Sequence, residues 1–372
     1  MSLRLNALLF AFLAVFISTG CASTTKAAAE KASTPAEFRV GVWLNRHEMQ
    51  KGDEAIVKFL DAAKERGVNT IYPNVWFHGA VIYPGSKMVP QHPDFIGRDP
   101  LALVIREGHA RGMKVLPWAE YGFFTHYNKT GESTSPGPIL EAHPDWALTN
   151  TAGSIALENK GMNVSHYSLN PANADARKWL ADLFLEVGKK YPDIDGFHVD
   201  RIRYMGPEWG YDPASLKAFQ AQSGFNPKDL AKDDPKVAAW NEWREAQTTS
   251  FMKEFSTRFR REFPGKTISG AVVPPYLQPE KFQRWDLWAK AGYIDEIAPM
   301  LYGSEDLVAK ELARTEAMVP PGFPVIAGID AAMGADGVAR ATKAAKAAGA
   351  AGVVLWGDDK LTSFGVDTFK TE

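Results

Sequence analysis

The chain has 372 residues, a formal charge of -2, 45% hydrophobic side chains and 23% charged ones, an ordinary globular balance with ample material for a core. So small a net charge gives no long-range pull towards nucleic acid or an anionic membrane surface, and neither is expected as a partner. The single cysteine, Cys21, excludes an intrachain disulfide and a cysteine-based zinc site.

Arg4 precedes an apolar run from Leu8 to Ile17, followed by Ser18, Thr19 and Gly20. That charged, apolar, then small order is the layout of a secretory signal rather than a full membrane span. It resembles a bacterial lipoprotein signal, in which cleavage leaves the cysteine as the lipid-bearing first residue, although Ser18 stands where such signals more often carry Leu. Residues 1–21 are therefore expected to be a signal with Cys21 lipidated; the alternative is a plain signal peptide containing a cysteine. By the same resemblance, Ala22 does not favour inner-membrane retention, which implies a cell-envelope protein anchored by lipid alone in the outer membrane and facing the periplasm. Residues 22–36 are Ala, Ser, Thr, Lys and Glu with one Pro, too poor in large apolar groups to bury anything, and read as a tether. Residues 37–372 contain no second linker of this kind and are expected to form one domain.

Arg39 to Leu44 is apolar and partly β-branched and makes a first strand. Ile56, Phe59, Leu60 and Ala63 recur at helical spacing until Gly67, and Val68 to Val75 makes strand two. Asp99 and Pro100 are the cap and first turn of the next helix, Gly112 closes it, and Met113 to Trp118 makes strand three. About fifty residues follow before the next helical pattern, at Ala176 to Val187; connections of that length are usually lids or binding loops. Strand four is Gly196 to Asp200, where alternation puts His198 and Asp200 on one face. A long helix, Trp240 to Phe263, precedes strands at Thr267 to Val272, Ile294 to Leu301, Pro324 to Ile329 and Gly352 to Trp356, with helical patterns at Pro279 to Ala291, Leu307 to Ala317 and Gly337 to Ala347 between them. Eight strands alternating with helices predict a single-domain α/β fold, a (β/α)8 TIM barrel. No G-x-G-x-x-G follows strand one and no P-loop occurs, so no nucleotide cofactor is expected.

Such barrels carry their chemistry at the carboxyl ends of the strands. Those ends offer Asn45 and Arg46; Asn74 and Trp76; Trp118 and Glu120; His198, Asp200 and Arg201; Tyr302; Asp330; and Trp356 and Asp358, whereas strand five ends in Pro274, Pro275 and Tyr276 without an acid. Acids, aromatics and amides together suit a sugar polymer, because cleaving a glycosidic bond takes one carboxyl to protonate the departing oxygen and another to attack the anomeric carbon or activate water. Asp200 is the candidate nucleophile or base and Glu120 the candidate acid, with the exchange of roles open. The other residues are candidate substrate contacts; Asp330 and Asp358 serve equally well as helix caps, and Asp200 itself could cap a loop or pair with an arginine. His47, His78, His126, His143, His166 and His198 are scattered without an H-E-x-x-H pair, so no metal site is expected.

Taken together, FRVGVWL, GVNTIYPNVW, YPGS, DPLALVIREGHARGMKVLPWAE, SLNPANADARKWL, DGFHVDRIRY, WNEWR and GYIDEIAPMLYG resemble the glycosyl-hydrolase-like family ten proteins, large-barrel bacterial proteins of which many are lipoproteins. The resemblance covers roughly Glu37 to Leu361. It implies hydrolysis of a glycan, with the sugar backbone of peptidoglycan as the candidate for lipid-tethered members, and it matches Asp200 to the acid of strand four. The segment ending in Glu120 more commonly ends in Asn in that group, so Glu120 is a departure. The expectation is a glycoside hydrolase of a cell-envelope polysaccharide; the rivals are a glycan-binding lipoprotein without turnover and, third, a metal-assisted deacetylase.

Overall fold

In the computed structural model the described residues are 37–370; the expected signal, tether and lipidation site at Cys21 lie outside them. The architecture is α/β, built on parallel strands: β1 (Arg39–Leu44), β2 (Thr70–Pro73), β3 in two pieces (Lys114–Val115 and Trp118–Ala119), β4 (Gly196–Val199), β5 (Thr267–Val272), β6 (Glu296–Pro299), β7 (Ile326–Asp330) and β8 (Gly352–Trp356). One sheet runs β7-β8-β1-β2 and the first piece of β3; the other runs β6-β5-β4 and the second piece of β3. Parallel bridges join the two sheets, Asn74 to Trp118 at one seam and Ile297 to Val325 and Met300 to Gly328 at the other.

The strands form where the sequence offers short apolar runs, and most are buried on both faces, as covered parallel strands must be: β4 is buried throughout. β1, β5 and β8 have the bounds their sequences predict, while β2, β6 and β3 are shorter. In β3 the interruption falls at Pro117, which has no N–H to give to the ladder; its carbonyl still accepts from His198 N at 2.9 Å. Helices occur where the periodicity puts them, at Asp53–Glu65, Pro100–Ala110, Ala174–Lys190 and Val237–Glu262, and the side chain of Asp99 caps its helix on Ala102 N at 3.0 Å. The expected helix at Pro279 to Ala291 is split into Gln278–Lys281 and Trp285–Lys290, because Phe282 adopts a left-handed φ of 50° between them.

The packing has two layers. Leu60, Ile71, Leu180, Phe184 and Phe255 belong to the larger core, whereas Trp43, Tyr72, Leu116, Trp118, Ala271, Ala298, Ile326 and Val354 form a smaller one from alternate strand positions. The large Trp43 ring is admitted because position 328 is glycine: a Cβ there would lie 2.9 Å from the ring and 2.8 Å from the Pro299 carbonyl oxygen. The excursion after β3 carries a three-stranded antiparallel sheet of Phe124–Lys129, Val164–Ser168 and Leu157–Asn159, which the sequence reading leaves as irregular loop.

Candidate active site

At the carboxyl ends of β1, β3, β4, β6 and β8 a cavity of about 300 Å³ opens. Glu120 follows β3, Asp200 follows β4, and both line this cavity, each only 5% exposed.

Asp200 ends a fully buried strand, so its carboxyl meets few polar groups. Arg201 N donates to its Oδ1 at 2.5 Å and Trp118 Nε1 to its Oδ2 at 3.3 Å. Burial is the dominant influence and lifts the carboxyl from 3.8 to about 6; Arg201 and Arg203 oppose the rise, and Glu120 adds to it. Arg201 has a φ of 50°, a conformation costly for a residue with a Cβ, and this turn is wedged from outside: a Cβ on Gly122, itself at φ 48°, would lie 1.9 Å from the Asp200 carbonyl oxygen.

Glu120 stands among donors. Asn74 Nδ2 donates to its Oε2, Arg46 lies 3.5 Å from the same oxygen, and Arg201 lies 3.4 Å from Oε1. Both guanidiniums are held by aromatic faces, Arg46 4.5 Å over Phe77 and Arg201 4.8 Å over Tyr121 and 5.3 Å over Phe124. Two carboxyls in one cavity thus have different surroundings: at Asp200 burial outweighs the nearby arginines, while Glu120 has two guanidiniums and an amide directly against its oxygens.

The walls are aromatic. Tyr302 stacks on Trp356 at 6.4 Å and 23°, Trp356 meets Trp118 edge-on at 6.0 Å, and Trp43 packs against Trp118 at 6.2 Å. Met300 completes the wall and Met162, 62% exposed, reaches it from the excursion.

Of the residues expected at the site, Glu120, Asp200, Trp118, Arg201, Tyr302 and Trp356 line the cavity, and Asn74 and Arg46 act one step back, on Glu120. The others stand elsewhere. His198 is fully buried: it accepts from Trp43 Nε1 at 3.0 Å through Nε2 and bonds Ser269 Oγ at 2.8 Å through Nδ1, so Nδ1 carries the proton. Burial first, then Arg39, pushes its pKa down to about 3, leaving a neutral prop beneath Trp43 rather than a substrate contact. Trp76 is buried with its Nε1 on the Gly122 carbonyl at 3.2 Å. Asn45 caps the short helix Arg46–Gln50 on His47 N at 3.2 Å, Asp330 caps a turn on Ala332 N at 2.8 Å, and Asp358 accepts from Asn45 N at 2.7 Å. Burial raises Asp358 to about 7 against that backbone bond, with Glu48 and Asp359 adding to the rise. Trp43, Arg203, Met162 and Met300 also line the cavity; from sequence Arg203 and Met300 stand at strand ends without being counted as contacts, Met162 and Trp43 are not singled out, and the parity of β1, where Arg39, Gly41 and Trp43 alternate with outward residues, contains the signal for Trp43. Among the described residues no group of three or more His, Cys, Asp or Glu side chains is placed to hold a metal ion.

Parallel strands that present two acids and an aromatic wall at their carboxyl ends define an α/β protein with a site suited to a ring-shaped polar ligand. Its place among known proteins agrees: residues 37–320 match the family Glycosyl hydrolase-like 10, and the chain belongs to that family. It is 27% identical over 278 residues to the glycosyl hydrolase DigH of Escherichia coli K12, a match covering 67% of this chain and 58% of that protein. It is 24% identical over 268 residues to the glycosyl hydrolase YngK of Bacillus subtilis 168, covering 67% of this chain and 48% of that one. The chain thus spans about half the length of these curated relatives. Among solved structures, the fold is similar to the PgaB (BpsB) glycoside hydrolase domain from Bordetella bronchiseptica, with a TM-score of 0.66 at 13% identity over 87% of this chain and 94% of that one. It is also similar to the catalytic domain of a beta-amylase from Paenibacillus polymyxa, with a TM-score of 0.64 at 12% identity over 90% and 95%.

Proposed function

We propose that the protein is a glycoside hydrolase on a closed (β/α)8 barrel, with Asp200 and Glu120 as its catalytic pair. The observation that carries the reading is the opening of both carboxyls on one aromatic cavity of about 300 Å³. Asp200 holds its proton up to about pH 6 and donates it to the departing glycosidic oxygen. Glu120, fixed by Asn74, Arg46 and Arg201, is the second carboxyl, attacking the anomeric carbon or taking a proton from the water that does. This takes the exchanged roles rather than the first assignment made from sequence. The substrate class is a cell-envelope polysaccharide, with the glycan strand of peptidoglycan as the first candidate, and the signal-like Arg4 to Cys21 segment supports a lipid anchor at Cys21 in an outer membrane, facing the periplasm.

The test incubates the full chain, purified in detergent, with peptidoglycan strands and a panel of polysaccharides and measures released reducing ends. Asp200→Asn and Glu120→Gln are each expected to lower the rate by about a hundredfold or more. Full activity in both variants removes the site assignment, and no release from any glycan removes the enzyme reading. Radiolabelled palmitate should enter the wild type and not Cys21→Ala; equal labelling would refute the anchor. A second reading, a glycan-binding protein without turnover, is favoured by the lack of an acid after β5, where Pro274, Pro275 and Tyr276 stand. It predicts co-sedimentation with insoluble peptidoglycan and no shortening of the strands.

A further inference from the structure

Three arginines stand around the cavity, and they are not alike. Arg46 and Arg201 both face Glu120. Arg203 lines the same cavity, yet no hydrogen bond or ion pair joins its side chain to any described residue, and its Nε is buried without a partner. It feels the charge of Asp200 without an ion pair, and the like charge of Arg201 opposes that attraction. Lys281 adds further positive charge nearby, its Nζ tied to the Met205 carbonyl at 2.6 Å.

The chain treats a structural arginine differently. Arg244, more deeply buried, also leaves its Nε without a partner, but its two terminal nitrogens are bonded, to the carbonyls of Pro207 and Trp209 at 2.6 and 2.7 Å and to Asn241 at 2.6 Å, where those of Arg203 are not. A guanidinium carries five N–H donors in a planar fork, and burying such donors unmatched is costly. At the wall of an open cavity the missing partner can be a ligand. The fork matches planar oxyanions, and beside two acids a singly charged carboxylate is repelled less than a phosphate.

We propose that Arg203 is the specificity-determining residue of this cavity, receiving a carboxylate on the sugar ring seated against Asp200, so that the preferred glycan is an acidic one. The inference rests on the reading that the cavity takes a glycan and narrows it to carboxylate-bearing sugars.

The experiment titrates a matched pair, a uronic-acid oligosaccharide and the same oligosaccharide with its carboxylates reduced to alcohols, into the detergent-solubilised full chain. Binding is read by the change in total tryptophan fluorescence, to which Trp43, Trp118 and Trp356 at the cavity contribute, in the wild type, Arg203→Gln and Arg203→Lys, at low and high salt. The wild type is expected to prefer the acidic member by about tenfold or more, and less so at high salt. The ratio should fall to about one in Arg203→Gln and to an intermediate value in Arg203→Lys, which keeps the charge and loses the fork. If the Gln variant does not fold, the Lys variant decides: a reduced ratio supports the assignment and an undiminished one overturns it. Equal wild-type affinity for both members, or an unchanged ratio in Arg203→Gln, removes the role of Arg203 and leaves the glycan reading standing. Binding of neither member by the wild type overturns the proposal for Arg203, while the glycan reading falls only if the polysaccharide panel also gives no release and no co-sedimentation.

Discussion

Replacing Asp200 by Asn tests whether the site stores unfavourable electrostatic energy. Lifting a carboxyl from 3.8 to about 6 corresponds to roughly 3 kcal/mol. Below about pH 4 the group is protonated in both folded and unfolded chains. From about pH 4 to 6 the folded chain holds a proton that the unfolded chain has released, so stability falls as pH rises, and above about pH 6 the whole cost is present. Asn has nearly the same shape and does not titrate. Whatever it loses or gains against Arg201 N and Trp118 Nε1 is independent of pH, and the other raised carboxyls, Asp358 among them, are common to both proteins and cancel. Relative to the wild type, Asp200→Asn should therefore gain roughly 2.5 kcal/mol between about pH 4 and about pH 7. Denaturant titrations followed by tryptophan fluorescence at the two pH values measure this double difference. A difference that stays flat across the range would refute the assignment of Asp200 as a desolvated acid. A gain in stability together with loss of glycan cleavage would mark the stability–activity trade-off expected of a functional group.

Gly122→Ala should destabilise the fold by about 3 kcal/mol or more in a thermal melt, since its Cβ would fall 1.9 Å from the Asp200 carbonyl oxygen; a melt within a degree of wild type would contradict the close approach. His198→Leu strands Trp43 Nε1 and Ser269 Oγ and should cost roughly 2–4 kcal/mol at about pH 8; because the folded imidazole stays neutral while the unfolded one takes up a proton below about pH 6.5, the wild type alone is weakened at about pH 5, and the loss should be smaller there by roughly 2 kcal/mol. A loss confined to the lower pH would show a charged imidazole. Asp358→Asn keeps an acceptor for Asn45 N and removes a charge burial disfavours, so its stability relative to wild type should rise from about pH 5 to pH 8 by roughly 2–3 kcal/mol; no rise would place Asp358 in contact with water.

The strands that the sequence predicts with the right bounds, β1, β5 and β8, are short, mainly apolar runs buried at every position but one end, which leaves little room for another conformation. The antiparallel sheet of the excursion was not legible because its strands mix polar and apolar residues on both faces, as in Phe124–Lys129, and so show no alternation of period two, although Phe124 and Tyr167 reach the core. Strand parity was enough to bring Asp200 and Glu120 to one cavity. It could not give depth: His198 shares parity with Asp200 and sits one layer lower, under Trp43. Nor could it separate an Asp that lines a cavity from one that caps a turn, since Asp200, Asp330 and Asp358 all end strands or open turns and differ only in what the chain places opposite them.

The contact between Gly122 and the Asp200–Arg201 turn joins two segments far apart in the chain, and Phe123 N reinforces it on the Arg201 carbonyl at 3.4 Å. The excursion is thus not an interchangeable cap. Transplanting a longer or shorter version from a relative, with the aim of altering what the cleft admits, would disturb the footing of the acid itself unless Gly122 travelled with the graft and the turn beneath it were kept.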